Sequence, residues 1–325
     1  MSELIINNLK VGLNNRPLII AEMSGNHNQS LERALEIVEA AAKSGAHALK
    51  LQTYTADTIT LDVNAGEFFI NDKNNLWKGQ SLYKLYQKAY TPWEWHEPIM
   101  KRACELNILC FSTPFDETAA DFLEELDVPA YKIASAEILH LPLLKKVAAI
   151  GKPMIISTGM ASASEIDEAV GTVRAAGCDQ FVLLKCTSTY PASPIDSNVI
   201  TIPHMRELFD CEIGLSDHTM GVGAAVAAVA QGATVIEKHF TLRRADGGVD
   251  SAFSMEPEEM KQLVIESERA WQSLGKVTYG PTDAEKRALK HRRSLYVAED
   301  MKKGDVLTEK NLRIDGIGIR RMGFI

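Results

Sequence analysis

Two histidines in this sequence sit where an apolar run stops. Glu212-Ile213-Gly214-Leu215 leads into Ser216-Asp217-His218-Thr219, and Ala233-Thr234-Val235-Ile236 leads into Glu237-Lys238-His239-Phe240-Thr241. Each apolar run suits a buried strand, and the Ala- and Val-rich segment from Gly221 to Ala230 between them suits a helix. A strand–helix–strand unit joins parallel strands, so both histidines come to the same end of one sheet. Two neutral imidazoles there, beside Asp217 and Glu237, can hold a divalent metal and leave coordination positions open. Taken alone, the pair is better described as two ordinary hydrogen-bonded histidines. The rest of the chain decides, because it repeats the design.

Strand-like and helix-like runs alternate along the sequence. Leu18–Glu22 is the first strand, after a short polar-apolar lead-in that could cap a barrel floor, and Leu31–Lys43 is an amphipathic helix ended by Gly45. Strands over Ala48–Gln52, Ile108–Ser112, Ala130–Ala134, Pro153–Ser157 and Phe181–Lys185 precede the two histidine units. The intervening helices are read at Pro92–Leu106, Glu117–Leu126, Leu141–Ile150, Ala163–Ala176 and Pro203–Phe209, with Pro257–Leu274 last. Eight strands, each followed by a helix, predict a (β/α)8 TIM barrel whose active site lies at the strand C-termini. No glycine-rich dinucleotide turn follows the first strand, which argues against an open doubly wound sheet. Residues 53–91 break the rhythm with a polar, Asn-rich excursion; after a strand C-terminus this predicts a substrate loop.

The strand ends carry Glu22, Asn26 and His27; Lys50 and Gln52; Ser112 and Thr113; Lys132, Ser135 and Glu137; Ser157 and Thr158; Thr187 to Tyr190; and the two histidine motifs. Ser and Thr are ordinary helix caps, and a lysine at a strand end usually reaches for water. Their accumulation on one rim says more. Two lysines inside otherwise apolar strands need an anion in the barrel mouth, and hydroxyls at helix starts suit a phosphate.

Of 325 residues, 46% are hydrophobic and 24% charged, enough for a barrel of ~250 residues and a small appendage. A net charge of −8 without a Lys/Arg-rich block argues against nucleic acid. The five cysteines are scattered without a Cys-x-x-Cys pair, as in a reducing compartment, and neither a signal peptide nor a membrane-spanning run is evident. These features predict a cytoplasmic protein acting on small molecules.

Several motifs carry a family resemblance. Ala21-Glu22-Met23-Ser24-Gly25-Asn26-His27, Lys50-Leu51-Gln52, Phe111-Ser112-Thr113-Pro114-Phe115-Asp116, Tyr131-Lys132-Ile133-Ala134-Ser135-Ala136-Glu137, Ser157-Thr158-Gly159-Met160 and the histidine motifs resemble the sialic acid synthase family over about residues 3 to 313. That family condenses phosphoenolpyruvate with an amino-sugar aldehyde to give a nine-carbon ulosonic acid. Ser81-Leu82-Tyr83-Lys84-Leu85-Tyr86, Thr91-Pro92-Trp93-Glu94-Trp95-His96 and the stretch from Gly247 to Pro257 resemble its pseudaminic acid synthase branch, which uses 2,4-diacetamido-2,4,6-trideoxy-L-altrose. Ser188 stands where N-acetylneuraminate synthases typically have Asn; they and legionaminate synthases are the neighbouring alternatives. The resemblance implies that Lys50, Thr113, Lys132, Ser135, Ser157, Ser188 and Ser216 hold phosphoenolpyruvate. It implies that His218 and His239 bind Mn2+, with Mg2+ or Co2+ as alternatives. Glu22, Gln52, Tyr190 and Asp250 would contact the open-chain sugar, and Glu137 would sit near the reacting carbons.

Members of the family end in a small antifreeze-like (SAF) domain that reaches over the partner's barrel in a homodimer. The expected division is a barrel over residues 1–280 and a linker with an incomplete antifreeze-like domain over 281–325. Strand-like Ser294-Leu295-Tyr296-Val297 and helix-like Thr308–Leu312 fit its start, with no later strand expected to close a core. Where the family continues to Arg-Pro-Gly, this sequence reads Ile314-Asp315-Gly316-Ile317-Gly318-Ile319, so the partner's sugar-binding Arg is not expected. Two other readings remain: a Schiff-base aldolase using Lys50 or Lys132, and a non-catalytic sugar-binding protein.

Overall fold

Leu4–Ile6 (β1) and Leu9–Val11 (β2) pair as a hairpin whose Leu4, Ile6 and Val11 are buried, while Ile5 is exposed. With Leu18, Ile20, Ala48, Phe111, Ile155, Val182, Leu184 and Val235 they form one apolar cluster, the closed floor of a barrel. The lead-in does cap that floor. These belong to a computed structural model that describes residues 4–73 and 75–315.

Eight parallel strands close the barrel: β3 (Leu18–Glu22), β4 (Ala48–Thr53), β5 (Leu109–Pro114), β6 (Tyr131–Ile133), β7 (Met154–Ser157), β8 (Phe181–Cys186), β9 (Glu212–Ser216) and β10 (Val235–His239). They follow one another around the ring, and β10 closes on β3. The helices are α1 (Leu31–Lys43), α2 (Ala56–Ile59), α3 (Leu82–Ala89), α4 (His96–Glu105), α5 (Glu117–Glu125), α6 (Leu141–Ala149), α7 (Ala163–Ala175), α8 (Thr201–Phe209), α9 (Gly223–Ala230) and α10 (Pro257–Leu274). Local chemistry starts them where expected. Ser30 caps α1, Asp116 caps α5, and Ser162 with Glu165 forms a capping box on α7. The 53–91 excursion contains α2 and α3, tied across the cavity mouth rather than extended.

Side chains alternate along each strand, so one parity faces the barrel axis and the other the helices. The outward parity (Ile19, Leu49, Tyr131, Ile133, Met154, Leu183, Ile213, Ile236) joins helix residues in the main core. The inward parity is apolar at the floor and turns polar toward the C-terminal ends. Gly214 belongs to it, because a Cβ there would collide with the Val235 carbonyl and Leu184.

The chain divides into two compact units, Met1–Leu274 and Gly275–Ile325. In the second, β11 (Ser294–Val297) pairs antiparallel with β12 (Leu312–Asp315), with Val297 opposite Leu312. This corrects two expectations: a later strand exists, and Thr308–Leu312 is not a helix. Thr308 and Asn311 close a single turn by reciprocal bonds, Thr308 N–H to Asn311 Oδ1 (2.7 Å) and Asn311 N–H to Thr308 Oγ1 (3.4 Å). From Leu312 the chain is extended, as its apolar–polar alternation favours. The Gly316–Ile319 portion of the tail reading lies outside the described residues. Among the described residues, no helix is long and apolar enough to cross a membrane.

Two buried histidines make the barrel acid-sensitive. His27 and His96 are both fully buried, and burial pushes each down to about 4. Above pH ~6.5 neither state is protonated and there is no penalty. As pH falls toward 4 the unfolded chain takes up protons that the folded one refuses, at up to about 1.4 kcal/mol per pH unit for each histidine. Urea unfolding should therefore show lower stability at pH 5 than at pH 7, and His27→Gln with His96→Gln should reduce that difference without removing it, because burial also brings His47 down to about 4. Equal stability of the parent chain at the two values would refute it.

Candidate functional site

The inward parity of the strands brings Glu22, Lys50, Gln52, Lys132, Ser157, Ser216, Glu237 and His239 to the C-terminal end of the barrel, where they line a cavity of about 590 Å³, Gln52 and His239 lying one inward position above Lys50 and Glu237. The charges form a closed cluster. Lys50 Nζ lies 3.0 Å from Glu22 Oε1 and 3.3 Å from Glu237 Oε1, and Lys132 Nζ is 3.8 Å from Glu237 Oε1. Lys132 also donates to Ser157 Oγ (2.6 Å) and to the Ile133 carbonyl (2.9 Å). Gln52 donates to Glu22 Oε1 (2.8 Å), and Ser216 Oγ donates to Glu237 Oε1 (3.1 Å).

These groups share a dry environment but are perturbed in different directions. Burial opposes the charge on Glu22, yet His239 and Lys50 overcome it and hold the carboxyl well below the usual range. Lys50 is raised, because Glu22 and Glu237 outweigh burial. Lys132 is lowered: burial dominates, and Glu237 offsets it only in part against the nearby Lys50. Glu137 and Asp250 are raised, by burial first. The cavity thus holds one firmly ionised acid, two acids biased toward protonation, and a lysine whose charge lacks a full partner.

His218 and His239 meet above this cluster, ring centroids 5.4 Å apart. His218 Nδ1 lies 2.9 Å from the Thr187 carbonyl, which can only accept, so Nδ1 carries the hydrogen and Nε2 the lone pair. Burial lowers His239, its Nδ1 is buried without a partner, and its Nε2 is 3.3 Å from Glu22 Oε2. Burial opposes charge on His218 as well, but the Cys186 thiol more than offsets it, and Cys186 itself is brought down to about 7. The two imidazoles are nitrogen donors that suit a divalent ion. Among the described residues, no three His, Cys, Asp or Glu side chains form a closed metal cage, so water or a reactant would complete the coordination.

Of the residues to which the family resemblance gives a role, all except Thr113 line this cavity, whereas Asn26, His27, Ser112, Thr158 and Thr187 at the strand ends do not. Ser135, Ser188 and Tyr190 join from the loops after β6 and β8; the loop before α10 supplies Asp250, which accepts a hydrogen bond from Ser24 Oγ. Thr113 is fully buried beside the wall, its hydroxyl without a partner. Gly159 lets two hydroxyls converge, since a Cβ there would collide with Ser188 and Ser135, and its N–H donates to Ser135 Oγ (3.0 Å).

The sequence reading left other lining residues without a role. Glu237, placed from the sequence only beside the histidines, is tied instead to Lys50 and Lys132 and keeps a buried Oε2 without a partner; the strand parity that brings in His239 also brings it in. The excursion supplies an apolar wall of Ile59, Ile70, Trp77, Leu82 and Tyr86, which the reading anticipated only as a loop. Trp77 donates its indole N–H to the Val249 carbonyl (2.7 Å), and its ring meets Tyr190 at 6.0 Å. Tyr190 in turn packs on His218 at 4.4 Å.

The sequence model of the NeuB family matches residues 37–279. The pseudaminic acid synthase of Campylobacter jejuni is 43% identical over 298 residues, covering 91% of this chain and 85% of that protein. The pseudaminic acid synthase of Helicobacter pylori is 41% identical over 299 residues, covering 91% and 87%. The crystal structure of N-acetylneuraminic acid (sialic acid) synthetase from Leptospira borgpetersenii, in complex with citrate, superposes with a TM-score of 0.78 at 35% identity. It covers 90% of this chain and 96% of that one.

The charge cluster makes a direct prediction about Glu237. Among the described residues, replacing it by Gln leaves Lys132 without its only carboxylate within ion-pair reach and Lys50 with one of two. Breaking a buried network in this way costs about 3–5 kcal/mol. The Glu237→Gln melting temperature should fall by several degrees, and inorganic phosphate should restore more of it than it adds to the parent. An unchanged melting temperature would show that the cluster is not electrostatically coupled.

Proposed function

Because the chain belongs to the NeuB family, we propose that it is a pseudaminic acid synthase. It would condense phosphoenolpyruvate with 2,4-diacetamido-2,4,6-trideoxy-L-altrose and release phosphate. The observation that carries this reading is the division of one cavity into a charged floor and an apolar wall. A small trianion suits Lys50 and Lys132, while a deoxy sugar with two acetamido groups has methyls for Ile70, Trp77 and Tyr86 to cover.

In this reading Lys50, Lys132, Ser135, Ser157, Ser188 and Ser216 hold phosphoenolpyruvate, with Thr113 supporting them from behind. An arriving anion would pair with Lys132 and restore the charge that burial disfavours. Gln52, Tyr190 and Asp250 would orient the open-chain sugar, with its aldehyde toward carbon 3 of phosphoenolpyruvate. A divalent ion held by His218 and His239, Mn2+ by preference and Mg2+ or Co2+ otherwise, would supply Lewis-acid polarisation of that aldehyde when bound. A carbon–carbon bond forms between carbon 3 and the aldehyde carbon, and the aldehyde oxygen takes a proton. Positive charge then develops at carbon 2, and the fixed negative charge of Glu22 would offset it. Water adds at carbon 2 and gives up a proton, for which Glu137 is the suited carrier because its raised pKa lets it both take and return one. Cleavage of the bond between carbon 2 and the bridging oxygen releases inorganic phosphate and leaves the keto acid.

The lowered Lys132 is also the one feature that suits an imine-forming aldolase. Borohydride with pyruvate would trap an adduct in that case and none in ours. We further read the chain as a cytoplasmic homodimer, which its five free cysteines suit, and residues 281–325 as the start of an antifreeze-like domain.

Phosphate release, assayed with phosphoenolpyruvate, a panel of amino sugars and metal restored after chelation, tests the reaction. The trideoxy diacetamido sugar should be the preferred substrate; turnover only with a hydroxylated sugar would redirect the assignment. His218→Ala and His239→Ala should each abolish metal-dependent release in a folded protein, and normal turnover in either would end the metal reading. Lys132→Met should raise the KM for phosphoenolpyruvate by about tenfold or more, from the loss of roughly 1.5–3 kcal/mol, while the KM for sugar holds. The reverse pattern would show that Lys132 faces the sugar.

A further inference from the structure

Lys238 lies between Glu237 and His239, on the parity that faces the helices, where its neighbour on the strand is Ile236. It is only 1% exposed. Its ammonium meets three acceptors: Asp217 Oδ2 (2.7 Å), the Thr219 carbonyl (2.6 Å) and the Gly221 carbonyl (3.0 Å). An ammonium has three hydrogens, so Lys238 is fully satisfied. Asp217, also buried, uses its other oxygen to accept from Thr219 N–H (2.8 Å). One further bond, Asp217 N–H to the Glu237 carbonyl (2.9 Å), joins the strand ends themselves.

A buried ion pair in a barrel wall is a poor stabilising device, because desolvating two charges consumes most of their attraction and an apolar pair packs as well. What an apolar pair cannot do is hold backbone. Here both charges grip the loop that leaves β9, at residues 217, 219 and 221, and Gly221 sits there at φ +73°. His218 is carried by that loop, and His239 is the next residue after Lys238. The same loop is tied from its other side, where Ala192 N–H donates to the His218 carbonyl (2.9 Å).

We infer that Lys238 and Asp217 are positioning residues, a buried clamp that sets the separation and aim of the His218 and His239 imidazoles for a metal ion. The inference rests on the proposed metal role of those histidines. Neither side chain faces the cavity; they act through the loop.

The probe is Mn2+ alone, titrated into the full chain and followed by the loss of the free-ion electron paramagnetic resonance signal. Inorganic phosphate binding by calorimetry is measured alongside. The double variant Lys238→Met/Asp217→Asn removes both charges together and leaves an acceptor for Thr219 N–H. We expect its Mn2+ Kd to rise at least tenfold, with phosphate affinity within twofold of the parent, because Lys50 and Lys132 are untouched. Asp217→Asn alone is the smaller change: its one amide oxygen serves Thr219 N–H, so Lys238 loses that partner but keeps the Thr219 and Gly221 carbonyls, and the Mn2+ Kd should rise about threefold. Parent-like Mn2+ affinity in either folded variant overturns the clamp, as does an equal loss of phosphate and metal binding, which would mean a general loosening. If the parent chain itself binds no Mn2+, the metal reading fails and the clamp with it.

Discussion

The constraint on which the rest of this structure depends is the burial of two lysines in the throat of a barrel. Lys50 and Lys132 are 3% and 1% exposed, at a level where an ordinary barrel carries aliphatic side chains. An isolated ammonium there would deprotonate or unfold the site. Glu22 and Glu237 prevent that by sharing the charge, and their own positions follow from strand register: Glu22 is opposite Lys50, and Glu237 is opposite Ser216. The cluster is balanced but not saturated. Lys132 is left under-compensated, and Glu237 Oε2, Glu137 Oε2 and His239 Nδ1 are buried without partners. A site of this kind keeps unused hydrogen-bonding capacity for what enters it.

The surrounding architecture preserves that arrangement. Apolar side chains below the cluster fill the barrel axis, and the β1–β2 hairpin closes it, so the charges have no route to water from the floor. Above, the excursion between β4 and α4 brings Trp77 and Tyr86 over the cavity, and the Trp77 indole ties that excursion to the loop carrying Asp250. A second pair of buried charges, Lys238 and Asp217, lies outside the barrel wall and holds loop backbone rather than ligand. The two pairs have different functions, and their strand parity distinguishes them.

Parity also explains what was legible in the sequence. Eight apolar runs alternating with helical segments were enough to give the barrel, and the polar residue at each strand end gave the cavity floor. The readings that missed depended on contacts that are distant in sequence. Glu237 was visible beside His239, but its link to both lysines exists only once β10 closes next to β3. Trp77 lies in an Asn-rich stretch with no periodicity, and only its contact with Val249, 172 residues away, gives it a place in the wall. Thr113 has the right parity, opposite Gln52, yet is fully buried and does not line the cavity. Thr308–Leu312 failed for a local reason: two reciprocal caps can close a turn that never becomes a helix.

A barrel throat that holds a phosphate ester by its oxygens while chemistry occurs at the adjacent carbon should break the carbon–oxygen bond, not the phosphorus–oxygen bond. The direct measurement is turnover of phosphoenolpyruvate carrying oxygen-18 in the bridge between carbon 2 and phosphorus, with the trideoxy diacetamido sugar, followed by mass spectrometry of both products. The account predicts that the label leaves with inorganic phosphate and that the new keto oxygen comes from water. Label retained in the sugar acid, with unlabelled phosphate, would contradict it.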